Sequence, residues 1–456
     1  MEKKSQAPTH QRLILPLGLL TVIAPTASRP LSMMRGRQIP AIRLVPYVGF
    51  PWNRPLFLLG VMPILNGKLV MQETAHVPPA KSDLERFTAC MEYQPAERPN
   101  HELGVWGQTR ARWEQEAPEW VKEFTWDWFV GEPALGLDHR EYIDVNYDFI
   151  PPFPCEILEE TDEYVVARNS KGIVTKALKS GTAYGTRLSM DQYLAFPVRR
   201  PEDFPAIKKR LVAALPERYP PDLDVRIPRW KQRTYPLVLG RNCAANGFYW
   251  RAREFMGTEA LSYAWYDYPA LMHEMMEFFA DFIIETSRPV LQTIAVDYFV
   301  LNEDMAMKGG ALLSPDTFRT FIFPHLKRLV EFFRSHGTRY IAVDSDGDPT
   351  ALIPLLLEAG VDTIWPIERA SDVSPQQWRR QFGRSLRLWG GVDKQILPRD
   401  REAIRQHLRE FIPLIEEGSF FPTVDHTVPP DVSWNNFRTY MDLKQALLAG
   451  EFRRFG

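Results

Sequence analysis

Cysteine is scarce in this chain. Its 456 residues hold three, Cys90, Cys155 and Cys243, far apart and without a CxxC pair. That spacing excludes a disulfide framework and a thiolate-rich zinc site, and it fits a reducing cytoplasm. Charge of one sign is lacking too. Lys and Arg number 55 against 57 Asp and Glu, a net charge of −2, so no basic field draws the chain to nucleic acid or anionic membrane. No GxGxxG or GxxxxGK[ST] loop follows a strand pattern, which removes the main signature of phosphate-binding nucleotide folds. Apolar runs long enough to span a membrane are missing. Residues 13–25 are too few, and residues 45–71 are broken by Pro46, Pro51, Pro55 and Pro63.

What is present describes a globular protein: 45% hydrophobic, 12% aromatic and 25% charged residues, enough for a sizeable core. The length suits one large domain with additions or two to three ordinary ones. The 39 prolines accompany long apolar segments and read as many fixed loops. Residues 1–80 stand apart. Lys3, Lys4 and Arg12 precede an apolar stretch that ends in Thr26-Ala27-Ser28, the outline of a secretory signal. Composition favours a poorly ordered extension over export, with Met71 as an alternative start. The expected organisation is an extension over 1–80 and one domain over 81–456.

The domain opens on Ser82 with Glu85 three residues later, a capping box for a helix. Residues 155–176 are two alternating runs around Asn169-Ser170-Lys171-Gly172, which predicts a β-hairpin excursion spanning about 155–187. Residues 190–211 read as a return to helix, with Pro201 and Glu202 in its first turn. From Tyr235 onward short apolar runs alternate with helical patterns, and Gly337, Gly360 and Gly418 each close a helix. This alternation predicts an α/β fold with a parallel sheet, and the count favours a closed (β/α)8 TIM-type barrel.

Each apolar run ends in polar residues: Glu303-Asp304, Asp344-Ser345-Asp346, Glu368, Asp393 and Asp425-His426. The carboxyl ends of parallel strands are where such a barrel builds its active site. Asp344 and Asp346 are close enough in sequence to need a bound cation or a raised pKa. Asp348 reads as a cap for the next helix, and no Glu completes a calcium loop. His426 suits a general acid or a substrate contact. Glu303 and Asp304 are adjacent, so one is expected to face inward. Asp393 follows Gly390-Gly391, where a ligand can approach backbone. Glu368 either faces the site or pairs with Arg369 or Arg387. Arg241, Asn242 and Arg251 are candidates to hold a carboxylate, while Arg253 fits that role and a surface ion pair equally. Cys243 reads as a buried thiol rather than a nucleophile. The candidate catalytic set is therefore Asp304, Asp344, Asp346 and His426. The candidate substrate-binding set is Glu303, Arg241, Asn242, Arg251, Glu368 and Asp393. Asp344, Asp346 and His426 are the candidates for any metal.

NEDMAMKGGALLSPDTFRTFIFPHLKRLVEFFRSHG, VDSDGD, LIPLLLEAGVD, WPIE, WGGVD and DHTVPPDVSWNNFRTY resemble the uroporphyrinogen decarboxylase family, whose superfamily also holds corrinoid-protein methyltransferases. The resemblance covers roughly residues 81–450 and is strongest from Gly247. It implies a β/α barrel with a deep cleft and, in the decarboxylases, a cofactor-free site for a polycarboxylate tetrapyrrole. There a His near the last strand helps hold substrate, and His426 matches it. Asp304 falls where the family has a serine, and Phe255 where decarboxylases have a tyrosine. The RQAGR arginine motif is missing, and Arg35-Gly36-Arg37 is only an echo of it. The methyltransferase branch places His-x-Cys, a zinc ligand pair, where this chain has Asp344 and Asp346. The hairpin excursion looks more like that branch.

Decarboxylation of a uroporphyrinogen-type tetrapyrrole in porphyrin biosynthesis is the activity the resemblance implies, with no cofactor. Methyl transfer, with a divalent metal or a corrinoid protein, is the alternative. A ligand-binding protein without catalysis is the third. The partners implied are a small-molecule substrate, either a tetrapyrrole or a methyl donor, and a second copy of the chain or a corrinoid protein.

Overall fold

The computed structural model describes residues 81–95, 97–122, 124, 133–183, 186–187, 190–240 and 245–456. The readings made for residues 1–80, including Arg35 and Met71, lie outside the described residues, as do those for Arg241, Asn242 and Cys243.

Seven strands form one sheet: Glu141–Ile143, Leu237–Leu239, Tyr298–Asn302, Tyr340–Asp344, Thr363–Trp365, Arg387–Trp389 and Phe420–Phe421. Their spatial order is their chain order, and every neighbouring pair is parallel. Parallel neighbours need a crossover, and helices such as Phe323–Ser335, Ile353–Ala359 and Pro375–Phe382 supply it. The alternation expected from Tyr235 onward supplies six of these strands, in a TIM-type α/β barrel.

The period-2 alternation of each strand divides the apolar residues between two cores. Phe299, Leu301, Ile341, Val343, Ile364 and Leu388 face the helices. Tyr298, Val300, Tyr340, Ala342, Trp365 and Trp389 belong to an inner cluster with Phe87, Cys90 and Met91. Those last three come from the helix Asp83–Met91, whose Ser82–Glu85 capping box forms as expected. That helix covers the amino ends of the strands. Leu84 N donates to Thr234 O at 2.9 Å and Ser419 N to Cys90 O at 3.0 Å, both just ahead of strands. Phe87 is fully buried, a burial that stabilises by about 1.5–3 kcal/mol.

The eighth barrel position is not a regular strand. Residues 100–106 run between segments that flank the two edge strands. On one side Val428 N donates to Gly104 O and Trp106 N to Val428 O, and on the other Asp138 N donates to Asn100 O. Glu102 anchors this segment. Its buried carboxylate accepts from Val424 N at 3.1 Å, and from the Tyr440 hydroxyl and the buried Lys444 ammonium.

The excursion is larger than a hairpin. Glu156–Glu160, Tyr164–Arg168, Val174–Leu178 and Gln192–Ala195 form a four-stranded antiparallel sheet. The expected turn is there: Asn169 Oδ1 accepts from Lys171 N and Ile173 N, both at 3.0 Å. Residues 192–195 are strand rather than helix, because they pair with Val174–Leu178. The helix does open at Pro201, as a 3-10 turn over Pro201–Asp203 that runs into the α-helix Phe204–Lys208. The helix capped by Ser314 is interrupted by a π turn at Phe318–Ile322. Pro324 has no N–H to donate to the preceding turn, and the wider turn accommodates it.

Candidate active site at the barrel mouth

The strand Tyr298–Asn302 ends beside Tyr340–Asp344. Glu303 N and Asp304 N both donate to the Asp344 carbonyl, at 2.9 and 3.1 Å. Two donors on one carbonyl turn the chain sharply, and Asp304 takes φ +42°. A left-handed conformation costs a non-glycine residue about 1–2 kcal/mol, and it persists because neighbours hold it. Arg253 Nη2 reaches Asp304 Oδ2 at 2.5 Å and its Nη1 reaches the Asp304 carbonyl at 3.3 Å. Burial raises the Asp304 pKa, Arg253 lowers it, and Asp346 adds to the rise.

The turn sends the two adjacent acids to different places. Glu303 is 2% exposed and points at the amino end of the helix Tyr249–Met256. Its carboxyl accepts from Phe248 N at 2.9 Å and Tyr249 N at 2.7 Å. Burial pushes its pKa up to about 7 against these bonds. The structure therefore places Glu303 as an anchor for that helix and not among the groups facing the mouth.

Asp344 is buried, and among the described residues no donor reaches its carboxyl. Burial, then the charges of Asp346 and Asp304, push its pKa well above the usual carboxylate range. This is the raised pKa that the D-x-D spacing called for. Asp346 is more exposed, and its Oδ2 lies 3.2 Å from His426 Nε2. Burial lowers the His426 pKa, but the hydrogen bond and charge of Asp346 outweigh it and leave it raised. The Trp106 ring stacks on the imidazole with centroids 5.5 Å apart. Asp304, Asp344, Asp346 and His426 thus come together at the carboxyl ends of the strands.

The remaining candidates divide. Glu368 pairs with Lys394 at 2.8 Å and not with Arg369 or Arg387. Arg387 lies at the other end of its strand, where its Nε donates to Met91 O. The other Glu368 oxygen accepts from Gly347 N at 3.2 Å. Gly347 is needed there: a Cβ would come within 2.6 Å of Met307 N. Asp393 accepts from Gln395 N at 2.8 Å in a local turn. Gly390 beside it serves a close backbone approach, since a Cβ would meet Ile367 N at 2.6 Å. Asp348 likewise holds Thr350 N at 3.0 Å.

Arg251 is not brought to the mouth. It is 2% exposed, pairs with Glu254 at 3.0 Å, and lies over the Phe149 and Phe255 rings. Phe255 is fully buried in this aromatic packing. Arg253, two residues on, faces the acids instead, because two residues turn a helix by about 200°.

Asp425 was marked at a run end but not placed in the candidate site sets, and Lys394 and Trp106 were not singled out from sequence. Asp425 is fully buried and ties two loops together, accepting from Arg369 N at 2.9 Å and Lys394 N at 3.0 Å. Burial pushes its pKa up to about 6. Its place beside His426, at the end of the last apolar run, was the available signal.

Among the described residues no three His, Cys, Asp or Glu groups are gathered as a metal site. Asp344, Asp346 and His426 do not form one, and His426 Nε2 is already engaged by Asp346. Among the described residues no helix is long and apolar enough to cross a membrane.

Residues 252–447 match the family model for uroporphyrinogen decarboxylase (URO-D), which bears out the family resemblance. Arg253, Asp304, Asp344, Asp346, Glu368 and His426 lie within the matched stretch. No curated protein matches the chain. Among solved structures, a methyltransferase from Methanosarcina mazei is similar at 14% identity. It covers 80% of this chain and 98% of its own, with a TM-score of 0.52. A B12-independent methionine synthase from Shewanella sp. W3-18-1, in complex with selenomethionine, is more distant: 13% identity, 68% and 77% covered, TM-score 0.35.

Proposed function

We propose that this protein is an acid–base enzyme of the uroporphyrinogen decarboxylase family that removes CO2 from a carboxylate arm of an electron-rich N–H ring. A uroporphyrinogen-type tetrapyrrole is the nominal substrate. The observation that carries the reading is the juxtaposition of Asp344, a buried acid whose pKa is pushed up by burial and by the charges of Asp346 and Asp304, with the Asp346–His426 pair. Asp344 donates a proton to a ring carbon. Asp304 and Asp346 stabilise the cationic ring electrostatically. The bond to the carboxylate breaks, CO2 leaves, and its electron pair returns through the ring to the exocyclic carbon. His426 protonates that carbon, and Asp344 takes back the ring proton. One proton has then replaced one CO2.

Among the described residues the arginine that reaches the acid cluster, Arg253, is already paired with Asp304. This supports a substrate with fewer carboxylates than uroporphyrinogen. The same surplus of acids favours a second reading, transfer of a methyl group from a cationic donor to a thiol or a corrinoid protein.

The test is CO2 release from uroporphyrinogen III and from simpler pyrrole acetates. Asp344→Asn and His426→Ala should each lower it steeply, by about 10²–10⁴-fold for the general acid. Methyl transfer without CO2 release would favour the second reading. Full decarboxylation by Asp304→Ala and His426→Ala would sink the site.

A further inference from the structure

A hollow of about 680 Å3 opens between the four-stranded excursion and the segments 153–154 and 195–203. Small-molecule sites commonly occupy ~300–1,000 Å3. Three of its lining residues are arginines, Arg168, Arg199 and Arg200, set against the aromatic walls of Phe153 and Phe196. Their charges are only partly answered. Arg168 holds Glu156 at 2.8 Å. Arg200 has carboxylates no nearer than 3.7 and 3.9 Å, on Glu202 and Asp203. Arg199 has no side-chain partner among the described residues. Asp203, the acid in the lining, spends one oxygen on backbone, accepting from Arg199 N at 2.9 Å and Arg200 N at 3.3 Å.

The walls are held in place. Val198 N donates to Phe255 O at 2.9 Å. The Phe196 ring packs so closely on Gly257 that a Cβ there would come within 2.4 Å of it. The Arg210 guanidinium lies 4.2 Å over the Phe153 ring. Guanidinium forks in a preformed hollow recognise carboxylate and phosphate oxygens in bidentate geometry. We propose that this hollow is a second binding site, separate from the barrel mouth, for a small polyanion bearing carboxylate or phosphate groups.

Titration calorimetry of the full chain with citrate and with pyrophosphate tests this. Saturable binding of either probe is expected, weakening as salt rises. Binding of both points to charge recognition, and of one alone to carboxylate or phosphate as the natural group. Arg199→Glu/Arg200→Glu, at exposed positions that leave the thermal melt unchanged, should weaken binding on the order of tenfold or more. Arg199→Ala/Arg200→Ala should do so to a lesser degree. His426→Ala should bind as the parent does. Absence of saturable binding by both probes would overturn the proposal. So would binding that survives both arginine pairs, or that is lost in His426→Ala.

Discussion

Glu303→Gln separates the two faces of the barrel mouth. The parent carboxyl is buried, and its pKa moves from the ordinary 4.5 to about 7. The folded chain therefore holds this proton more tightly than the unfolded chain. The stability it contributes is fully present below pH 4.5 and is lost as pH rises through 7. Each pH unit in that window is worth about 1.4 kcal/mol, so the loss is about 3 kcal/mol. Gln cannot titrate, and the slope should vanish. One Gln oxygen at the Oε2 position can still accept from both Phe248 N and Tyr249 N, at the observed 3.0 and 2.7 Å. What is lost is the second bond from Phe248 N, worth about 1 kcal/mol. The variant should therefore be about 1 kcal/mol less stable than the parent at pH 4.5, and about 2 kcal/mol more stable at pH 8. Urea unfolding followed by fluorescence of the 13 tryptophans at four pH values reads the difference, in which other titrating groups largely cancel. Parallel stability curves for parent and variant would refute the reasoning.

Three further outcomes follow from the geometry. Asp344→Asn should lower turnover by about 10²–10⁴-fold, the usual range for a general acid, while urea unfolding shows stability kept or improved; an active variant would remove Asp344 from the mechanism. His426 has its pKa raised by Asp346, so its stabilising charge is present below 6.5 and is lost as pH rises through the raised value. In Asp346→Asn the imidazole titration, followed by NMR, should move down, and an unchanged curve would disconnect the pair. Lys444→Met strands the buried Glu102 carboxylate and should destabilise by about 3–5 kcal/mol, with much of that recovered in Lys444→Met/Glu102→Gln; equal melts for the single and double variants would contradict the pairing.

The barrel was legible because its signals are local. Strands such as Tyr298–Asn302 are runs of apolar residues, the Ser82–Glu85 cap is a four-residue pattern, and the turn at 169–172 needs only Asn169 and Gly172. The polar residues at the run ends marked the mouth for the same reason. The acid cluster was partly legible, since Asp344 and Asp346 are two residues apart. Their partner His426 is far along the chain, and only its position after the last strand hinted at it.

Composition, alternation and run ends determined by themselves that this chain folds as a parallel β/α barrel with acids at one end. Those properties depend on neighbours within a turn or a strand. Tertiary structure alone decided which acid faces the mouth, because one carbonyl, that of Asp344, accepts two backbone donors and turns Asp304 away from Glu303. It decided that Arg253 and not Arg251 meets the acids, which is a question of helix rotation set by packing. It also decided that residues 100–106 bridge to Val428 and carry Trp106 to His426, a contact between residues far apart in the chain.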